Sequence, residues 1–227
     1  MESIPLPWII FIGIALLSWL VSANLQSKFK LYSKTPLGLS GRDVALRMLH
    51  DNGIYDVQVT STQGHLTDHY NPVTKTVNLS ESVFNQYSVA AAAVAAHECG
   101  HAIQHAMAYT PLKMRSALVP VVSFSSNIVQ WILLGGMLLL NVFPQLLFIG
   151  IILFSFMTLF SFITLPVEIN ASSRAIAWLS NAGITSRGTD IMAKRALRSA
   201  AYTYVVAALG SLATLLYYIM IFLGRRR

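Results

Sequence analysis

A chain of 227 residues that is 55% apolar and only 11% charged, with a mean hydropathy of +0.58, is too apolar for an ordinary soluble domain. Its net charge of +7 comes without a clustered basic face and base-stacking aromatics, so nucleic acid is excluded as a partner and the charge reads as membrane topology. The single cysteine, Cys99, rules out an intrachain disulfide and suits a cytoplasmic domain.

Residues 5–23 carry no charge and are long enough to span a bilayer. No basic segment precedes them and no small-x-small cleavage site clearly ends them, so an uncleaved anchor is expected, with Lys28, Lys30 and Lys34 on the cytoplasmic side. Residues 40–52 form an amphipathic helix, with Ser40 as N-cap, Asp43 in the first turn and Gly53 as the stop. Residues 55–60 alternate as a strand. Residues 64–79 read as two strands around the turn Asn71-Pro72, and Ser80 is placed to cap a turn of helix. An Ala- and Val-rich helix follows from about Ser88 to Ala108, ended by Thr110-Pro111. Its small side chains suit close packing against other helices or a place at the membrane edge.

Residues 118–140, 145–165 and 201–223 are three further runs of spanning length. Pro166 is expected to open a new helical segment. With four spans and an outside N-terminus, residues 24–117 and 166–200 face the cytoplasm. They hold 13 of the 16 Lys and Arg, as the positive-inside rule requires. Arg225, Arg226 and Arg227 fall on the opposite side, which fits only if the last segment crosses incompletely or the triplet is tolerated. The expected division is an anchor over 1–24, a cytoplasmic core over 25–117, a transmembrane hairpin over 118–165, a second helical segment over 166–200, and a final span with a basic tail over 201–227.

Within the Ala-rich helix lies His97-Glu98-Cys99-Gly100-His101, an H-E-x-x-H pattern. Residues i and i+4 share a helix face, so both imidazoles can close on one metal ion from adjacent turns. Glu98 stands at the edge of that face, where it can take a proton from water activated by the metal. Two neutral nitrogen ligands and a placed carboxylate are the minimum for zinc-assisted hydrolysis. Cys99 points away from the metal face and reads as a small buried residue.

Catalytic zinc usually has a third protein ligand. His105 continues the spacing, but eight residues rise about 12 Å along a helix, too far for one ion to be shared with His97. Glu168 is the stronger candidate. The acidic residues outside the motif are few, and Ala171, Ser172 and Ala175 make its helix face small enough for close approach. The alternative is an ordinary carboxylate where an apolar run ends.

Several separated segments together resemble the bacterial neutral zinc metallopeptidase family of membrane proteins (YugP-like). They are Leu66-Thr67-Asp68-His69-Tyr70-Asn71-Pro72, Thr76-Val77-Asn78-Leu79-Ser80, Ala95 to Gln104 around the motif, and Pro166-Val167-Glu168 with Ala171-Ser172 and Arg174-Ala175. The resemblance covers nearly the whole chain and extends more distantly to HtpX-type and CAAX prenyl proteases. It implies a mainly α, integral-membrane helical bundle of about four spans, with a gluzincin-type zinc peptidase domain carrying a small β-hairpin or sheet. It also implies one zinc ion per chain on His97, His101 and Glu168, with Glu98 as catalytic acid and base. One departure is Ser172, where the HtpX-type pattern has an aspartate able to orient a ligand histidine. Serine is a candidate for that supporting position but brings no charge.

Arg174, His69 and Tyr70 are candidates for stabilising the oxyanion or contacting substrate. Their ordinary alternatives are a salt bridge or membrane-surface contact for Arg174 and plain strand residues for the other two. That strand could also pair with an extended substrate. A second metal site at Asp68-His69 is disfavoured. The expected activity is that of a membrane zinc endopeptidase in the bacterial plasma membrane, its site facing the cytoplasm. Its expected partners are the lipid bilayer and peptide or protein substrates, membrane proteins among them. The competing readings are cleavage within substrate spans, and a scaffold without activity that keeps a residual zinc site.

Overall fold

The computed structural model describes residues 6–224. Residues 1–5 of the expected anchor and the Arg225–Arg227 triplet lie outside them. Seven helices and three strands follow in the order α1 (Leu6–Tyr32), α2 (Gly41–Asp51), β1 (Gln58–Thr62), β2 (His69–Asn71), β3 (Thr76–Ser80), α3 (Glu81–Phe84), α4 (Val89–Ala106), α5 (Thr110–Leu138), α6 (Pro144–Asn181) and α7 (Arg187–Gly224). Four of these helices, α1, α5, α6 and α7, are long and apolar enough to cross a membrane. The chain is therefore mainly helical with a small sheet, as expected.

Local chemistry explains most boundaries. Ser40 caps α2 through a reciprocal box: its hydroxyl accepts from Asp43 N–H, and the Asp43 carboxylate accepts from Ser40 N–H. Gly53 follows at φ +71°, where a side chain would be strained. Ser88 caps α4 by accepting from Ala91 N–H. At its other end, Tyr109 N–H reaches the Gln104 carbonyl and Ala108 N–H that of His105. Ala108 takes the left-handed conformation this closure needs.

Two expectations about prolines fail. Pro111 does not end α4; it lies in the first turn of α5, where its missing N–H leaves no bond unmade. Pro166 does not open a segment, because α6 runs unbroken through it. An internal proline costs about 3 kcal/mol. A chain break beside an apolar run would strand several backbone groups without partners, which is worse.

The sheet has the order β1-β3-β2. β1 pairs with β3 in parallel, Gln58 opposite Thr76, and β2 pairs with β3 antiparallel, His69 opposite Asn78. The first strand thus begins three residues later than its alternation suggests. The β2–β3 turn is fixed by Asn71, whose Oδ1 accepts from Val73 and Thr74 N–H. Ser80 occupies the N-cap position of α3 without a capping bond. Its hydroxyl and its N–H donate instead to the Asp68 carboxylate, tying the loop before β2 to the end of β3.

The chain forms two compact units. One comprises residues up to Leu20, Lys113–Leu165 and from Thr203 onward; the other comprises Val21–Leu112 with Pro166–Tyr202. The second has a closed core. Val44, Ala45, Met48 and Leu49 of α2, Val77 and Leu79 of β3, and Ala90 to Ala96 of α4, apart from Val94, are buried there. The Ala-rich half of α4 is therefore at the centre of a protein core, packed closely as its small side chains suggested.

Candidate metal centre

His97 and His101 leave the same face of α4, their ring centroids 4.8 Å apart. Glu168 comes from α6 and is almost fully buried. Its Oε2 lies 3.2 Å from His97 Nε2 and 3.6 Å from His101 Nε2. One ligand atom from each of the three residues lies within 4.8 Å of the others. Ligands about 2 Å from a tetrahedral zinc are about 3.4 Å apart, so the spacing fits such an ion.

Close approach of the two helices makes this convergence possible. A Cβ placed on Gly100 would lie 2.7 Å from the Ala171 carbonyl oxygen and 3.0 Å from its Cα. Only glycine fits there. Ala171 and Ala175 are fully buried beside it, as the small face around Glu168 suggested.

Both outer ring nitrogens are occupied. His97 Nδ1 meets Ser172 Oγ at 3.1 Å, and His101 Nδ1 meets Gln104 Oε1 at 3.0 Å. Bonds at Nδ1 leave Nε2 facing Glu168, which is the arrangement metal-binding imidazoles use. Burial works against a charged His101, but its bond to Glu168 and the negative charges of Glu98 and Glu168 outweigh burial and raise its pKa. The pocket therefore favours a cation, and a His2Glu donor set suits zinc.

Glu98 is buried, and its Oε2 accepts from the backbone N–H of Tyr70 at 3.1 Å. β2, an edge strand, thus holds the motif carboxylate. The side chains of the strand do other work. Tyr70 Oη bonds to His105 Nδ1 at 2.8 Å. His69 is exposed, with Nδ1 on the Thr67 carbonyl and Nε2 near Asn78 Nδ2. Asp68 is committed to Ser80. Arg174 donates from Nε to Asn170 Oδ1 at 2.8 Å and from a terminal nitrogen to Met107 Sδ. Asp68, His69 and His105 lie outside the three-residue cluster.

Cys99 is fully buried, its thiol against the Ala45 carbonyl. Burial, then the charge of Glu98, pushes its pKa up, so it is a packing residue. Gln104, Asn170 and the backbone of Tyr70 join the site without standing among the sequence candidates. Gln104 was detectable, since i and i+3 share a helix face; the Tyr70 contact depends on tertiary placement.

Residues 7–223 match the model of a protein family described as "Putative neutral zinc metallopeptidase". The chain belongs to this family. It is also 44% identical over 221 residues to the "Putative membrane protease YugP" of Bacillus subtilis (strain 168), a match covering 96% of this chain and 97% of the relative. No solved structure matches. This zinc metallopeptidase homologue is a membrane protein, and His97, His101 and Glu168 form the cluster within it able to hold the metal that the family name implies.

Proposed function

We propose that this protein is a membrane-embedded endopeptidase of gluzincin type that holds one zinc ion per chain on His97, His101 and Glu168. The observation that carries this reading is the meeting of Glu168 Oε2 with both Nε2 atoms, beside a separately held Glu98. A zinc ion there supplies a Lewis acid that acidifies water and polarises a carbonyl. Glu98 takes the proton of the attacking water on its carboxylate and passes it to the departing amine. Tyr70 N–H keeps that carboxylate oriented between the two transfers. Strand addition of an extended peptide to the outer edge of β2 would use its backbone groups other than the Tyr70 N–H, which Glu98 holds. The substrates are peptides or proteins, including membrane proteins. The Lys and Arg distribution supports a site on the cytoplasmic side of the bacterial plasma membrane.

Two features support this reading over its competitors. α4 is not one of the four helices of membrane-spanning length and composition, which favours cleavage outside the substrate's spans. A structural zinc site has no use for a buried carboxylate held by a strand N–H, which favours an enzyme over a scaffold.

The test is zinc content and proteolysis in detergent-purified protein. Wild type should carry about one zinc, Glu168→Ala should lose it, and Glu98→Gln should keep it while losing roughly 10²–10⁴-fold in rate. A zinc-free wild type after resupply would sink the reading.

A further inference from the structure

Gln104 is completely buried and lies one helical turn beyond His101. Its amide cannot be turned around. Nε2 donates to the Val167 carbonyl at 2.8 Å, a group that can only accept, and to Asn170 Oδ1 at 3.0 Å. Asn170 is fixed in its turn, because its Oδ1 also receives Arg174 Nε–H at 2.8 Å and a guanidinium only donates. Oε1 of Gln104 must therefore face His101 Nδ1, and that nitrogen must carry a proton. His97 has no equivalent. Its Nδ1 meets the hydroxyl of Ser172, which can donate or accept and so serves either tautomer.

We propose that Gln104 is a positioning residue. Through the directional chain from Arg174 to Asn170 to Gln104, it holds His101 as the Nδ1–H tautomer and presents the Nε2 lone pair to the metal. The inference rests on the metal-site reading above. It also gives Arg174 a structural task, holding Asn170 Oδ1 in place.

The experiment is a titration of the full, chelator-stripped chain in detergent with zinc and with cobalt(II), against a competing chelator. Gln104→Leu removes the acceptor at His101 and should weaken both metals roughly 10- to 100-fold while altering the cobalt absorption bands. Gln104→Glu keeps an acceptor opposite Nδ1 and, as the neutral acid, gives its O–H to the Val167 carbonyl in place of Nε2; it should stay within about threefold of wild type, even where loss of the bond to Asn170 lowers its melting temperature. Wild-type affinity in Gln104→Leu would overturn the inference. So would equal weakness in Gln104→Glu, since Gln104 would then only brace α4 against α6. If the leucine variant does not fold, Gln104→Asn replaces it. The shorter amide withdraws the acceptor and should bind about tenfold more weakly than Gln104→Glu; equality of the two overturns the proposal. A wild type that binds neither metal removes the metal-site reading itself. A wild type that binds, with unaffected variants, removes only the role of Gln104.

Discussion

The two compact units use apolar residues in opposite ways. In the unit that carries the metal cluster, they turn inward: α2, β3 and α4 share a closed core, and the helices meet through alanine and glycine. In the other, Val129, Leu133, Leu147 and Ile151 form a small buried centre, while Phe124, Trp131 and Leu138 stand 63%, 71% and 78% exposed. Such surface is unfavourable in water and neutral in lipid. Hydrophobic burial therefore drives the site-bearing unit, whereas packing and internally satisfied backbone hold the other. The same leucine should be worth different amounts in the two.

Leu49 and Leu147 are equally buried, one in each unit, and give the sharpest test. Leu49→Ala removes a side chain from a closed core and should cost about 4 kcal/mol. Leu147→Ala loses packing but little transfer energy, since lipid is as apolar as the site it leaves, and should cost about 1 kcal/mol. Thermal melts read separately for each unit measure both, and equal losses would break the comparison. A matched charge insertion comes next. Trp131→Arg places a cation on an exposed face within the apolar run of α5 and should cost about 3 kcal/mol, seen as a fall in membrane-integrated protein. Val73→Arg lies in the β2–β3 turn and is more exposed still, at 90%. It should stay within about 0.5 kcal/mol.

What the sequence discloses follows the same division. Four apolar runs announce four long helices, because composition alone decides where a chain can enter lipid. The capped α2 and the H-E-x-x-H helix are equally plain, being written in local pattern. Glu168 was within reach because small residues at i+3, i+4 and i+7 mark a close approach. The misreadings arise where tertiary context outweighs local preference. Pro166 has a breaker's chemistry but sits within a helix that cannot afford to end. Ser80 has a cap's chemistry but gives its hydroxyl to Asp68. Tyr70 reaches Glu98 through backbone, and no side-chain pattern encodes that.

Gly100 makes the next and smaller test. An alanine Cβ would press on the Ala171 backbone at 2.7 Å, and both helices are fixed by the core around them. Gly100→Ala should cost about 2 kcal/mol and weaken metal retention, since it pushes away the helix bearing Glu168. A Cβ on Gly136 would approach Leu147 Cα and N at 2.6 Å, an equal intrusion in the other unit. There lipid can fill the gap when helices part, so Gly136→Ala should cost about 1 kcal/mol. A larger loss at Gly136 would mean that the lipid-facing unit is the more rigid of the two.

The smallest effect concerns how helices begin. α2 has 11 residues, too short to persist without tertiary help, and it brings Leu49 and Met48 to the core. Its first turn relies on the Ser40 hydroxyl, which accepts from Asp43 N–H at 3.1 Å. Ser40→Ala should cost about 1 kcal/mol and speed amide exchange over residues 41–44. In the 38-residue α6, Ser161 bonds its hydroxyl back to the Met157 carbonyl, a group already serving the helix ladder. Ser161→Ala should therefore leave stability unchanged within about 0.5 kcal/mol. If both serines proved silent, α2 would owe its start to burial against α4 alone, and the cap would merely accompany it.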